Sequence, residues 1–182
     1  MLVIKALNFA AEAHRDQIRK FSELPYIVHP MTVALLVTHF KPQSKNIVSL
    51  QCAAILHDTK EDTNVDYPDI YNEFGMMTTS LVFELTSDQD EIDKIGKLEY
   101  FKKKFIGYSS YALFLKLLDR LANIIDKPTE KTIEDTKILI KHLKDNRALS
   151  DTQVKVIIAI EEEIEKYYLN KFDESYKAFL SE

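Results

Sequence analysis

Apolar residues recur at spacings of three and four along most of the chain, the period of an amphipathic helix. Leu2, Ala6, Phe9, Ala10 and Ala13 predict an opening helix over about 2–18, broken by Lys20-Phe21-Ser22-Glu23-Leu24-Pro25. Pro30 suits the first turn of a second helix, where a missing N–H costs nothing, and that helix is expected to reach Phe40. After the break Lys41-Pro42-Gln43-Ser44, a strongly apolar helix is predicted over about 45–60. Two short helices are expected within 68–87 around Gly75, then an acidic surface loop over 87–94 and a basic helix over about 94–105. Ser109 or Ser110 can cap a nearly all-apolar helix running to Ile125, which Pro128 ends. Amphipathic helices at about 129–146 and 151–180 follow, the last with Ile157, Ile160, Ile164, Tyr168 and Phe172 on one stripe. The pattern predicts an all-α chain, one domain over 1–182.

Composition narrows the chemistry. The 182 residues include three glycines, where average usage predicts roughly thirteen. Gly75, Gly96 and Gly107 lie far apart, so neither a dinucleotide fingerprint nor a phosphate loop can form. Cys52 is the one cysteine, which excludes an intrachain disulfide and a Cys-rich zinc site; within Ala53-Ala54-Ile55-Leu56 it reads as a buried, inert thiol. No apolar run approaches a membrane span and no signal-peptide pattern opens the chain, so a cytoplasmic protein with no membrane partner is expected. A net charge of -5 argues against a nucleic-acid partner while leaving room for a small phosphorylated ligand.

Three segments place charge where the pattern is otherwise apolar. Ile55-Leu56-His57-Asp58 ends a helix apolar enough to be buried, and Glu61-Asp62 follows. If that helix persists, His57 faces Glu61 and Asp58 faces Asp62. Carboxylates crowded with an imidazole repel unless a cation sits among them, and a divalent metal accepts both ligand types. In Lys116-Leu117-Leu118-Asp119-Arg120-Leu121-Ala122-Asn123, Lys116, Asp119 and Asn123 form a narrow polar seam on an apolar helix, as expected of a site or a buried network. His29 opens a helix close after Arg19 and Lys20, two cations able to clamp a phosphate. His14, His39 and His142 read as surface or partly packed residues and receive no role, and Lys102-Lys103-Lys104 reads as a wet helix face.

Together these segments resemble the hydrolase domain of the RelA/SpoT-type alarmone enzymes, in the HD superfamily of metal phosphohydrolases. The similarity runs over about 10–125, through Ala13-His14-Arg15-Asp16-Gln17-Ile18-Arg19-Lys20, Pro25-Tyr26-Ile27-Val28-His29-Pro30, AAILHDTKEDT at 53–63 and LKLLDRLANI at 115–124. The resemblance implies an HD-type bundle of about eight helices, with helices at 129–180 beyond the motifs. It implies that His29, His57, Asp58 and Asp119 ligate one Mn²⁺ and that Glu61 and Asp62 form the catalytic acid pair. It also implies that Arg19, Lys20, Tyr26 and Asn123 contact nucleotide or phosphate; Lys116 joins them as a candidate for charge stabilisation. The implied reaction removes the 3′-pyrophosphate of ppGpp or pppGpp, by a stand-alone enzyme that could form a homo-oligomer. Glu23 and Asp16 stand where the family prefers glycine, Ala122 where its long forms have histidine, and Asp126 where threonine is common. Glu23 and Asp126 add negative charge near a polyanion, which keeps open another nucleotide substrate; a non-catalytic nucleotide sensor is a further alternative.

Overall fold

The computed structural model describes residues 1–20 and 22–181, with side chains up to Asp173. The described residues form ten helical segments in chain order: α1 (Leu2–Ala13), α2 (Val28–Phe40), α3 (Ile47–Leu56), α4 (Thr59–Asp62), α5 (Tyr67–Leu85), α6 (Gln89–Ile95), α7 (Lys97–Gly107), α8 (Ser110–Ile125), α9 (Glu130–Asn146) and α10 (Asp151–Ser181). Among the described residues no strand forms, and no helix is long and apolar enough to cross a membrane.

The core is organised around α8, which packs on α2, α3, α5, α9 and α10. Ser109 caps it by accepting from the Ala112 amide, and residues on all sides of the helix are buried, from Ala112 to Ile124. A helix buried on all sides belongs in the centre of a bundle. The neighbours α2 and α3, packed on each other, complete one side; α3 buries every residue from Cys52 to Leu56. The Cys52 thiol is fully buried, which pushes its pKa up to about 11 and leaves it inert.

Three local departures from the periodic pattern shape the site. The first helix stops at Ala13 instead of reaching residue 18. Residues 22–26 run back along residues 17–20, with the Arg19 amide donating to the Leu24 carbonyl and the Tyr26 amide to that of Gln17. Glu23 sits in this loop at φ +58°, the left-handed region that glycine occupies without strain. The helix expected over 45–60 breaks at His57-Asp58, because His57 Nδ1 and Thr59 Oγ1 donate to carbonyls of the last turn of α3, Ala54 and Leu56. Gly75, at φ +77°, kinks α5 into two shorter helical stretches, as expected. The segment 87–94 is exposed as expected but helical, since Asp88 caps α6 by accepting from the Glu91 amide.

The late helices close the far side. Arg147 Nη1 donates to the carbonyls of Phe105, Ile106 and Tyr108, which caps the end of α7. Ile157, Ile160 and Ile164 are buried, but Tyr168 and Phe172 are 41% and 70% exposed, so the apolar stripe of α10 is packed only in its first half. Farther along, Tyr168 donates to Glu134 of α9 at 2.7 Å and Lys171 pairs with Glu130.

Candidate metal centre and nucleotide cleft

Helix α2 presents His29 from its first turn, the α3–α4 corner presents His57 and Asp58, and α8 presents Asp119 from its middle. These residues, up to 90 positions apart, meet in one place. His29 Nε2 lies 3.1 Å from Asp119 Oδ1 and 3.9 Å from Asp58 Oδ2; His57 Nε2 lies 3.1 Å from Asp58 Oδ2 and 3.8 Å from Asp119 Oδ1. Ligand atoms of His29, His57 and Asp119 all fall within 4.8 Å of one another. Such a donor set fits a divalent metal, and the tautomer of His57 supports the fit. A carbonyl can only accept, so His57 Nδ1 carries the proton it gives to Ala54, 2.8 Å away. Nε2 is thereby left buried, without a hydrogen-bond partner, facing two carboxylates. A lone pair in that position needs a proton or a cation.

The surrounding charges are tuned in the same sense. Burial opposes charge on His57, yet Asp58 and Asp119 outweigh it and hold the imidazole pKa up to about 10 when only protons compete for the site. Burial likewise works against ionised Asp119, but Lys116 and the two imidazoles hold its carboxyl well below the usual range. Asp58 is lowered by its histidine neighbours in the same way, against burial and the Asp119 charge.

Asp119 is oriented from both ends. Lys116 Nζ lies 2.7 Å from Oδ2, while Asn123 Nδ2 donates to Oδ1 at 2.7 Å. The polar seam is thus a buried network: Lys116, assigned from sequence to substrate, has its ammonium on Asp119. Tyr26, also assigned to substrate, has its hydroxyl between two carboxylates, 2.5 Å from Asp58 Oδ2 and 3.2 Å from Asp62 Oδ2. Burial, then Asp58, pushes the Tyr26 pKa far up and keeps the phenol protonated; burial and Asp58 also raise that of Asp62.

The centre opens into a cleft of about 920 Å³, lined by Arg19, Lys60, Glu61, Asp62, Ser87, Lys97, Arg120 and Lys131 among others. Glu61 does not face His57, because the corner at Asp58 turns it away; its Oε1 accepts from the Ser87 amide between α5 and α6. Arg19 donates from Nε to Asp126 Oδ2 at 3.0 Å and from Nη2 to Asn123 Oδ1 at 3.1 Å. The negative charge that Asp126 introduces therefore meets Arg19. Lys20 lines an adjoining pocket of about 270 Å³ with Arg19, Asn123 and Asp126.

Four residues escape the sequence reading. Arg120 lies with its guanidinium carbon 5.5 Å from the centroid of the Phe101 ring, its Nε buried and unpartnered, and burial lowers its pKa. A guanidinium in this state at a cleft wall is ready for an anion. His14, only 2% exposed, stacks on Tyr26 with ring centroids 4.7 Å apart. Neither stands out by spacing, since an Arg beside an Asp and a His on an opening helix are common. The adjacent cations Lys97 and Lys131 come from α7 and α9, which no local pattern links to the site.

The model of the HD domain family matches residues 6–132. A guanosine-3′,5′-bis(diphosphate) 3′-pyrophosphohydrolase of Xenopus tropicalis is 39% identical over 126 residues, covering 69% of each chain, and that of Homo sapiens is 38% identical over 125, covering 68% of each. The enzyme of the same description from Aquifex aeolicus is 36% identical over 129 residues, which span 66% of this chain and 17% of that longer protein. Among solved structures, one described as a metazoan orthologue of SpoT that hydrolyses ppGpp superposes with a TM-score of 0.75 at 26% identity, over 91% of this chain and 95% of its own.

Proposed function

The chain belongs to the HD-domain family, in its guanosine-3′,5′-bis(diphosphate) 3′-pyrophosphohydrolase branch, and from that membership we propose that it removes the 3′-pyrophosphate of ppGpp or pppGpp with a bound Mn²⁺. The observation that carries this reading is the convergence of two imidazole nitrogens and two carboxylate oxygens at the base of a cleft lined by both cations and carboxylates, beside Glu61 and Asp62. His29, His57, Asp58 and Asp119 would hold the ion. Two nitrogen and two oxygen donors suit a borderline-hard ion such as Mn²⁺ and leave positions for water and phosphate oxygen. When bound, the ion supplies Lewis acidity and lowers the pKa of a water.

The chain's own residues do the rest. Lys116 and Asn123 engage both oxygens of Asp119, so the carboxylate presents Oδ1 to the centre. Glu61, seated on the Ser87 amide with its other oxygen left for water, orients the nucleophile and takes its proton. Asp62, hydrogen-bonded through Tyr26 and with a raised pKa, is suited to carry a proton to the leaving oxygen. Arg19, Lys20 and Arg120 bind phosphate oxygens and balance the charge that moves to the departing group.

Another phosphorylated nucleotide is the second reading, favoured by the Arg19–Asp126 ion pair, which leaves less free positive charge for a tetra- or pentaphosphate. The test is purified protein with Mn²⁺ against a nucleotide panel, with products resolved by chromatography. GDP and pyrophosphate from ppGpp are expected. Orthophosphate from other nucleotides would support the second reading, and ligand-induced thermal stabilisation without product would indicate a sensor.

A further inference from the structure

Lys104, in the basic run that reads as a wet helix face, has an inward-turned side chain. Its Nζ donates to the Thr86 carbonyl, and lies 3.0 Å from the Tyr100 hydroxyl. The same hydroxyl accepts from the Asp88 amide at 2.7 Å. Between these anchors stands Ser87, whose amide donates to Glu61. The Thr86 carbonyl and the Ser87 N–H belong to one peptide group, so a single planar unit is held by an ammonium at its oxygen and a carboxylate at its nitrogen. Thr86 and Ser87 form the wall between the cleft and a second cavity of about 620 Å³, which Lys104 and Tyr100 line.

We propose that Lys104 is a positioning residue for Glu61, acting through the Thr86–Ser87 peptide from outside the cleft. A cation on the carbonyl polarises the amide and strengthens its charge-assisted bond to Glu61, as linked hydrogen bonds do in a poorly solvated setting. Glu61 is itself exposed on a four-residue helix, and this amide is the protein hydrogen bond that seats it. Tyr100, 4% exposed, fixes the next residue and prevents the segment from swinging. Burial and the nearby Lys116 pull the Lys104 pKa down to about 8, against Glu61, Asp88 and Glu91, so the side chain is cationic at neutral pH. The role in turnover rests on the hydrolase reading above; the contact itself does not.

The experiment compares Lys104→Met, Lys104→Arg and the neighbouring Lys103→Met, in wild-type and Glu61→Ala backgrounds. It measures kcat and KM for ppGpp with Mn²⁺, Mn²⁺ affinity, and exchange of the Ser87 amide by NMR. Lys104→Met is expected to lower kcat about tenfold, with KM and Mn²⁺ affinity within about twofold, Arg restoring most of the loss and Lys103→Met unchanged. In the Glu61→Ala background Lys104→Met should change kcat by less than about twofold, because the two residues act as one unit. An undiminished loss in that background, or an unchanged kcat in folded Lys104→Met, overturns the proposal. If Lys104→Met does not fold, Tyr100→Phe, which removes the Asp88 anchor, carries the same non-additivity requirement. If the wild type releases no pyrophosphate from ppGpp, the hydrolase reading falls. The Ser87 amide then decides the clamp: faster exchange in both Lys104→Met and Glu61→Ala supports it, and unchanged exchange refutes it.

Discussion

On one wall of the cleft, His29, His57, Asp58 and Asp119 stand on, or at the end of, helices that pack into the core, and each is held by several neighbours. On the opposite rim, Glu61 and Asp62 occupy a four-residue helix, Arg19 a doubled-back loop, and Ser87 a junction between helices, each tied by one or two bonds to a distant segment. The first wall is over-determined by burial: an unpaired charge there costs several kcal/mol, so Lys116 and Asn123 must accompany Asp119. The rim is fixed by hydrogen bonds in partly solvated surroundings, each worth about 0.5–1.5 kcal/mol, or up to about 3 where a charge takes part. Damage on the wall should therefore reach the fold, and damage on the rim should reach catalysis alone.

The largest expected effect is that of Asp119→Ala. It removes a proposed ligand and strands the buried Lys116, so stability should fall by about 3–5 kcal/mol in denaturant titration, with metal stoichiometry and turnover lost together. A variant of wild-type stability would erase the contrast between the two walls. Glu61→Ala comes next. It should keep its stability and its metal by elemental analysis while kcat falls roughly a hundredfold or more. Loss of metal in that variant would make Glu61 part of the buried wall, and unchanged activity would remove it from the mechanism.

The mildest test uses pH. With the His57 pKa held up to about 10 in the metal-free protein, a proton and the ion compete for the same nitrogen. Metal affinity should rise by about tenfold per pH unit across the neutral range as that proton becomes easier to displace. The sign for folding is opposite. A folded pKa above the unfolded value of 6.5 stabilises the metal-free protein fully below 6.5, and that contribution is lost as pH rises through about 10. Calorimetry of the metal-free protein at pH 6, 8 and 9.5 should show the decline; a flat profile would mean that the proton is not on His57.

Periodicity and composition by themselves determined that the chain is helical, because a stripe of apolar residues can be buried only at the helical period and scarce glycine leaves few positive-φ turns for a sheet. The motifs around His29, His57-Asp58 and Asp119 were legible for a related reason: charge inside an apolar stretch is costly, and in ordinary helices it is rare. The same reading did not reach the corner at His57, where side chains capture the carbonyls that would have continued the helix, or the helix capped by Asp88. Nor did it connect Lys104 with Glu61, Arg120 with the cleft, or Tyr26 with two carboxylates. These are contacts between residues 18 to 36 positions apart, or depend on which way one side chain turns. Local spacing carries the cost of burying a group, but only the packed helices decide which partner meets that cost.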